Sequence, residues 1–205
     1  IQNLKNGNIV SIVSDAGTPV VSDPGYKLIQ ICLKENIKYT LIPGPSSVLS
    51  SLVMSGLSPD RFSFYGFIPR KSGDQDRFFK TLSNDLKTSI VFESPKRIKK
   101  TLVNLQKFVG KNRKISLCKE MTKIYEDVFR GKISEIIKDI ENGQINLRGE
   151  FVLVIEGSDN KIDLNINTQI KKEFLSKLSA SDSAKLISML TGKNKRDIYK
   201  KLIEK

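Results

Sequence analysis

The sequence of 205 residues contains no histidine. This absence excludes hydrolytic sites built on a Ser-His-Asp triad and metal sites that depend on imidazole ligands. Cysteine is almost as scarce: only Cys32 and Cys118 occur, which is too few for a structural zinc site and typical of buried thiols in a cytosolic protein. No apolar run reaches the length of a membrane span. We therefore expect a cytoplasmic protein with no metal site and no membrane partner.

Positive charge is abundant and unevenly placed. The net charge is +13. Residues 1–60 carry four lysines and four acidic residues, whereas residues 61–205 carry 31 basic and 18 acidic residues. A basic half of this kind is typical of proteins that bind a polyanion such as nucleic acid. A lysine-rich composition alone also produces such a surplus, and that interpretation stays open here.

Residues 1–58 are predicted to form part of an α/β domain. Two short apolar runs, residues 8–14 and 38–42, have the composition of buried strands. Each run precedes a break rich in turn-forming residues and then a helical pattern, the first of which starts at Asp23-Pro24. This order predicts a mainly parallel sheet, in which ligands bind at the carboxyl ends of the strands. Both breaks fall at those ends.

The two breaks are named here the first loop (SDAGTPVVSDPG, residues 14–25) and the second loop (PGPSS, residues 43–47). The first loop lacks the Gly-Lys-Ser/Thr ending whose lysine meets phosphates, and its Asp15 repels them. Glycine, a small residue and exposed amides instead suit a neutral or cationic nucleoside that main-chain groups recognise. A structural turn in the first loop and an ordinary helix cap in the second are the alternatives.

Residues 59–160 are predicted to form a second α/β domain with a mixed sheet. Patterns typical of strands occur at residues 62–67, 88–93, 113–120 and 149–157, and helical patterns at 74–83, from Ser94 onward, and at 131–140. A polar linker follows, and residues 168–205 predict a tail of two or three short helices with Asp182 as a cap. The chain is therefore predicted to be a two-domain α/β protein with a small helical tail.

Six motifs occur in the order SDAGTPVVSDPG, IPGPSSVLSSLVMSGL, FYGFIPRK, FESPKRIKKTL, KEMTKIYEDVFRG and RGEFVLVIEG. Over about residues 8–157, and more weakly in the tail, the chain resembles the bacterial small-subunit ribosomal RNA (cytidine) 2'-O-methyltransferases of the tetrapyrrole methylase superfamily. The resemblance implies a tetrapyrrole-methylase-like fold with S-adenosylmethionine as methyl donor, bound in a cleft between two domains. It also implies a cytidine ribose in the decoding centre of 16S ribosomal RNA as the acceptor, and a homodimer.

The resemblance assigns donor contacts to both loops and, by analogy within the superfamily, to two strand ends of the second domain. In the loops these residues are Asp15, Ala16, Gly17, Thr18, Ser46 and Ser47. At the strand ends they are Phe92, Glu150, Phe151 and Val152. Phe92 and Val152 are equally well explained as core residues, so their assignment stays open.

Without histidine, a general base for methyl transfer must be a carboxylate, a neutral lysine or water. Glu93 and Glu120 are the candidates, because both lie at the ends of predicted strands within the resembled motifs. Their alternative role is donor binding or a salt bridge with Lys119, Lys123 or Arg97. Lys119 or Lys123 beside the reacting hydroxyl is a further candidate for stabilising the charge that develops there.

RNA binding is predicted for basic residues of the second domain, through phosphate contacts, with unpaired bases recognised separately. The residues are Arg70, Lys71, Lys96, Arg97, Arg113, Lys114 and Lys123. Phe67 and Tyr125 are candidates for stacking on a base, although core packing is the stronger interpretation for Phe67.

Two other functions stay open. A tetrapyrrole methylase of the precorrin type shares the fold, and a non-catalytic RNA- or ribosome-binding module shares the basic surface. The family's first strand, its small-residue loop and a first helix should precede residue 1, so we expect the sequence to be truncated at its amino terminus.

Overall fold

A computed structural model of the chain describes residues 1–14, 17–159, 168–191 and 194–203. The chain divides into two compact units, Ile1–Gly157 and Ser158–Lys205. The predicted site residues Asp15 and Ala16 lie outside the described residues. The predicted division of the first unit at residue 58 stays a prediction.

Helices α1 (Gln2–Lys5), α2 (Tyr26–Lys34) and α3 (Ser47–Ser55) precede the sheet. The start of α3 follows the prediction for the second loop. Ser46 occupies the N-cap position, and its hydroxyl oxygen accepts a hydrogen bond from the backbone N–H of Leu49 at 3.4 Å. This bond satisfies one of the N–H groups that the first helical turn leaves unpaired.

The predicted start of α2 at Asp23-Pro24 is wrong. Gly25, which the predicted helix would include, has φ 133° and occupies the N-cap position, a conformation that a helix cannot contain. The N–H of Asp23 instead donates to the carbonyl of Val20 at 3.5 Å, which closes a turn. The helix therefore begins only at Tyr26.

The two runs predicted as strands, residues 8–14 and 38–42, are not strands in the structure. Their apolar side chains are largely exposed, Ile9 by 97% and Ile42 by 86%. A strand depends on a ladder of hydrogen bonds to a neighbour, and within the described ranges every such ladder lies between residues 62 and 155. The α/β class is confirmed, but these two runs do not form the parallel sheet expected within residues 1–58.

The described part of the first unit forms one five-stranded sheet in the order β1-β2-β5-β3-β4. Its strands are β1 (Phe62–Phe67), β2 (Thr88–Glu93), β3 (Lys114–Lys119), β4 (Asp127–Lys132) and β5 (Phe151–Ile155). β1 and β2 are parallel and the other neighbours antiparallel, so the predicted mixed sheet is confirmed. The sequence did not predict β4, because its charged residues and glycine are typical of an edge strand and produce no apolar alternation.

Helices pack on both faces of this sheet. On one face are α4 (Ser72–Asn84), α5 (Pro95–Val109) and α6 (Ile133–Glu141), and on the other is α3. Alternation along β5 separates the two cores. Phe151, Leu153 and Ile155 pack against α4–α6, whereas Val152 and Val154 pack against α3. All five residues are buried, so β5 lies at the centre of the unit.

The second unit contains helices α7 (Thr168–Lys177), α8 (Ala180–Thr191) and α9 (Lys195–Ile203). Its own core consists of Phe174, Ala184, Ile187, Ile198 and Leu202. The predicted cap at Asp182 is wrong, because Asp182 lies in the first turn and its N–H donates to the hydroxyl of Ser179 at 3.1 Å. None of the helices in the described ranges combines the length and the apolar character that crossing a membrane requires.

Gly157 lies two residues after the end of β5 in a position without space for a side chain, since a Cβ atom there overlaps the backbone of Leu86. We predict that Gly157→Ala lowers the free energy of unfolding by about 1–3 kcal/mol, the usual cost of overpacking. Gly73 in the first turn of α4 is the matched control, because a Cβ atom there meets nothing within 4 Å. Gly73→Ala should be neutral or stabilising by about 0.4–1 kcal/mol. Urea denaturation measures both, and an unchanged midpoint for Gly157→Ala would contradict the prediction.

Candidate functional site

One end of the sheet carries a cleft. β1, β2 and β3 end there and β5 begins there, since Phe151 of β5 pairs with Glu93 of β2 and with Lys119 of β3. The cavity has a volume of about 630 Å³. Ligand sites typically lie in cavities of this size at strand ends of α/β sheets.

The cleft brings together the predicted donor-binding residues that the structure describes. They come from four separate parts of the chain and are Gly17, Thr18, Ser46, Ser47, Phe92, Glu150, Phe151 and Val152. Glu93, a candidate base, also lines the cavity. Val152 and Phe92 belong at the same time to the core beneath α3, so for these two residues both interpretations hold.

The two loops contact each other at the mouth of the cleft. The hydroxyl of Thr18 in the first loop donates to the carbonyl of Pro45 in the second loop at 3.3 Å. Within the first loop, the hydroxyl of Ser14 donates to the carbonyl of Gly17 at 3.1 Å. Val20 is β-branched and left-handed, a conformation that costs free energy and is concentrated at functional sites. The loop backbone is therefore shaped by more than the need to connect two elements.

The charged residues in the described lining of the cavity are all acidic. Its described lining residues include the carboxylates Asp23, Glu93 and Glu150 and no lysine or arginine. The side chain of Glu150 is largely exposed, and its Oε2 pairs with Nζ of Lys123 at 3.0 Å. The absence of lysine and arginine from the described lining agrees with the interpretation of the first loop as a nucleoside site without a phosphate-binding lysine.

Glu93 is buried in a network of hydrogen bonds, with 1% of its side chain exposed. One carboxylate oxygen accepts from the backbone N–H of Ser94 at 2.7 Å, and the other accepts from the hydroxyl of Thr101 at 2.7 Å. The guanidinium of Arg97 lies 3.1 Å from that second oxygen. A carboxylate satisfied in this way has little access to a substrate proton. The contacts favour the salt-bridge role that the sequence left open for Glu93.

Glu120 lies in a second network, with Lys123 and Glu150. Its Oε1 accepts from the backbone N–H of Glu150 at 2.7 Å and from Nζ of Lys123 at 3.1 Å, and the same Nζ donates to Oε2 of Glu150 at 3.0 Å. The N–H of Glu150, assisted by Lys123, holds the pKa of Glu120 below its usual value. Burial alone lowers the pKa of Lys123, but its bonds to Glu150 and Glu120 outweigh burial and raise it. Glu120 is therefore a weak base, and Lys123 stays charged and paired.

The predicted RNA-binding residues have different surroundings in the structure. Arg70, Lys71 and Lys96 are exposed, and they follow β1 and β2 at the end of the sheet that carries the cleft. Lys123 pairs with two carboxylates. The side chain of Arg97 points inward, and its Nη2 donates to the carbonyls of Ile68 at 3.2 Å and of Pro69 at 2.9 Å.

Arg113 and Lys114 lie at the opposite end of the sheet. Ile115, which follows them, pairs with Ile155, whereas the cleft lies at Phe151, four residues earlier along β5 and roughly 13 Å away. Arg113 donates to the carbonyl of Glu156 at 2.9 Å, and Lys114 pairs with the carboxylate of Glu156 at 3.7 Å. The structure does not bring these two residues to the cleft.

Phe67 is not a core residue, contrary to the interpretation preferred from the sequence. It lines the cleft and is 64% exposed, and its ring contacts Phe92 edge-on at 5.3 Å. The cause is a bulge in β1: Phe64 pairs with Ile90 and Phe67 with Phe92, so β1 has one extra residue, and Gly66 there has φ 68°. A glycine inside a strand pattern was the available signal.

Sequence reasoning missed other residues that line the cleft, among them Pro19, Val21, Ser94, Pro95, Met121 and Thr122. They neighbour predicted site residues, and no motif distinguishes their types. Tyr125 is exposed on the loop between β3 and β4 and does not line the cavity.

Comparisons with known proteins agree on one family. Residues 1–137 match the family model of the Tetrapyrrole (Corrin/Porphyrin) Methylases. A Mycobacterium tuberculosis (strain ATCC 25618 / H37Rv) protein is 37% identical over 172 residues, which cover 84% of this chain and 59% of that protein. Proteins of Rickettsia prowazekii (strain Madrid E) and Streptococcus pyogenes serotype M1 are 39% and 35% identical, over 98% and 97% of this chain and 70% of each relative. All three are named ribosomal RNA small subunit methyltransferase I. The chain thus spans about three fifths of the mycobacterial relative's length.

Solved structures share the fold. The methyltransferase CobJ aligns with a TM-score of 0.56 at 14% identity, covering 78% of this chain and 69% of that protein. A cobalamin biosynthetic enzyme, cobalt precorrin-4 methyltransferase CbiF, aligns with a TM-score of 0.56 at 14% identity, covering 76% of this chain and 66% of that protein. Similarity at this identity shows a common fold.

The network around Glu120 predicts a pH dependence. Because the pKa of Glu120 is lowered in the folded state, its contribution to stability is present above the unfolded carboxyl pKa of about 4.3 and is lost as the pH falls through the lower folded value. Glu120→Gln should therefore cost about 1 kcal/mol at pH 7 and progressively less in acid. Thermal unfolding of both proteins across pH measures the difference.

Glu141→Gln is the matched control, because the pair between Glu141 and Lys99 is half-exposed at 3.5 Å and exposed pairs contribute little. It should change stability by less than about 0.5 kcal/mol at each pH. A loss for Glu120→Gln that stays constant down to strong acid would show that Glu120 acts through packing and not through its charge.

Proposed function

Because the chain belongs to the tetrapyrrole methylase family, among the proteins named ribosomal RNA small subunit methyltransferase I, we propose that it transfers a methyl group from S-adenosylmethionine to small-subunit ribosomal RNA. The acceptor in this proposal is the 2'-hydroxyl of a cytidine in the decoding centre of 16S ribosomal RNA. The observation that carries the proposal is the cleft, where the described donor-binding residues predicted from four parts of the chain meet.

The residues of the cleft fit the donor. A cavity of about 630 Å³ accommodates a nucleoside with an amino-acid side chain. The carboxylates of Asp23 and Glu150, both exposed residues, suit the positive sulfonium and ammonium groups of the donor. The loop segments around Gly17 and Ser46 offer backbone and hydroxyl groups for the polar edge of the nucleoside. Val48 and Met121 provide apolar surface.

The proposed reaction needs little chemical assistance from the protein once the two reactants are aligned. S-adenosylmethionine supplies a methyl group already activated on sulfur, which a hydroxyl displaces in line. The protein's task is to hold the sugar hydroxyl and the donor in that line, which is worth roughly 7–11 kcal/mol. Because Glu93 and Glu120 are both engaged in internal networks, alignment carries more of the proposed catalysis than proton removal.

The proposal includes a homodimer and a cytoplasmic location, both expected from the sequence. The two alternative functions predict different results in one assay. A precorrin-type methylase would bind the donor and methylate a porphyrinoid but not RNA, and a non-catalytic module would bind small ribosomal subunits without transferring a methyl group.

The assay incubates the chain with S-adenosylmethionine labelled in the methyl group and unmodified small ribosomal subunits. We expect label in 16S ribosomal RNA at a single cytidine, in a form that resists alkaline cleavage because the 2'-hydroxyl is blocked. Label on a base, or no transfer by a chain that binds the donor, would contradict the proposal.

Gly17 provides a test of the donor site. Gly17 has φ 84°, a conformation that valine rarely adopts, so Gly17→Val should shift the first loop and weaken donor binding about tenfold, or 1.4 kcal/mol. Gly7 is the matched control, since it has φ 82° and equally open surroundings but does not line the cleft. Calorimetric titration with S-adenosylmethionine should show full affinity for Gly7→Val. Equal affinities for both variants would remove the first loop from the donor site.

A further inference from the structure

We propose that the rim of the cleft holds single-stranded RNA through Arg70, Lys71, Lys96 and the ring of Phe67, and that Glu93 and Arg97 are positioning residues for this rim. The inference rests on the proposed function, because it names how the same site receives its acceptor. It assigns Arg97 a different role from the phosphate contact expected from the sequence.

The three cations converge because of the sheet topology. β1 and β2 are parallel neighbours, so the segments that follow them leave the sheet side by side. Arg70 and Lys71 follow β1, and Lys96 is the second residue of α5, which follows β2. All three are exposed, and within the described ranges no carboxylate forms an ion pair with them. Their charge is therefore available to a polyanion.

A buried network holds the segment that carries two of these cations. Arg97 bridges Glu93 at 3.1 Å and the carbonyls of Ile68 and Pro69 at 3.2 and 2.9 Å. The N–H of Ile68 donates to the carbonyl of Phe92 at 3.2 Å. The backbone that leads to Arg70 is thus attached to β2 and to the start of α5, where Lys96 lies. All three contacts are made by Nη2 and the side chain is 29% exposed, so the guanidinium is held against the segment that follows β1 and does not extend into solvent.

Phe67 extends the rim toward the cavity. Its ring is 64% exposed, and it contacts Phe92 in an edge-to-face arrangement at 5.3 Å. Exposed aromatic rings beside a basic surface are the usual platform for unpaired bases. The rim therefore combines cations for phosphates with a ring for a base.

The charges of rim and cavity also orient the acceptor. Phosphates are attracted to Arg70, Lys71 and Lys96 at the rim, whereas the described lining of the cavity has no lysine or arginine to bind them and includes the carboxylate of Asp23. A strand held at the rim therefore keeps its phosphates outside, and its sugar is the group that faces the cavity. This arrangement favours a ribose hydroxyl as the atom that meets the donor.

The first test measures binding of a fluorescent single-stranded RNA to the whole chain, without donor, across a range of salt concentrations. Replacing Arg70, Lys71 and Lys96 together with glutamine should weaken binding and reduce the log–log salt slope by roughly 2, the value for three phosphate contacts on a single strand. The matched control replaces Lys87, Lys107 and Lys111, exposed lysines remote from the cleft. An equal loss of slope in both triple variants would mean diffuse attraction and would overturn the proposal.

The second test separates positioning from direct contact. Arg97→Lys keeps the charge but replaces the guanidinium, whose Nη2 contacts Glu93, Ile68 and Pro69, with a shorter ammonium, and RNA affinity should fall several-fold. The same change made in the triple glutamine variant should have no further effect, because Arg97 acts through the rim cations. A full additional loss in that background would show that Arg97 itself binds RNA. Circular dichroism establishes that each variant is folded.

Phe67 gives an independent readout. Phe67→Ala should lower RNA affinity about tenfold, and Phe67→Trp should restore it, since stacking tolerates any flat ring. Unchanged affinity in Phe67→Ala would remove stacking from the proposal.

The inference and the proposed function fail in different ways. If the chain binds RNA through the rim but transfers no methyl group to small subunits, the proposed function is wrong and the inference about the rim stands. Methyl transfer whose KM for small subunits is unaffected by the triple glutamine change would overturn the rim alone.

Discussion

The burial of β5 on both faces is the constraint on which the first unit depends. Five consecutive apolar residues form its central strand, and because successive side chains alternate, neither face can be left to solvent. α4–α6 cover one face, and α3 from the amino-terminal part of the chain covers the other. The position of α3 in turn places Ser46 and the second loop at the sheet's end. The hydrogen bond from Thr18 to Pro45 then brings the first loop to the same place.

The carboxylates at that end show how one residue type is used in opposite ways. Glu93 and Glu120 accept several hydrogen bonds each and fix the backbone around the cleft, whereas Glu150 lines the cleft with an exposed side chain that pairs with Lys123. A buried carboxylate needs such partners to remain charged, because the loss of water costs several kcal/mol in their absence. Glu93 and Glu120 are thus best understood as part of the site's framework.

The sequence predicted the elements whose signals are local. The helix that follows the second loop, the strands predicted at residues 62–67, 88–93, 113–120 and 149–157, and the tetrapyrrole-methylase-like fold are confirmed. The sequence did not predict features that depend on contacts between residues far apart along the chain. Residues 8–14 have a strand-like composition but no partner strand in the described ranges, and whether Arg97 faces solvent or Glu93 is decided by the loop after β1. The exposure of Phe67 follows from a bulge, which changes the direction of every later side chain.

The lack of histidine explains why the hydrogen-bonded networks around the cleft matter for the proposed reaction. A general base contributes about 10²–10⁴-fold to a rate, which corresponds to roughly 3–5 kcal/mol, whereas alignment of two reactants contributes roughly 7–11 kcal/mol. For the proposed transfer from an activated sulfonium, the larger of these two terms requires only a rigid cleft and a rigid rim. The networks of Glu93 and Glu120 provide rigidity of this kind, because each connects two elements of the sheet's end through charged hydrogen bonds. A chain without histidine can therefore carry out this reaction if its carboxylates and arginines hold the reactants in line.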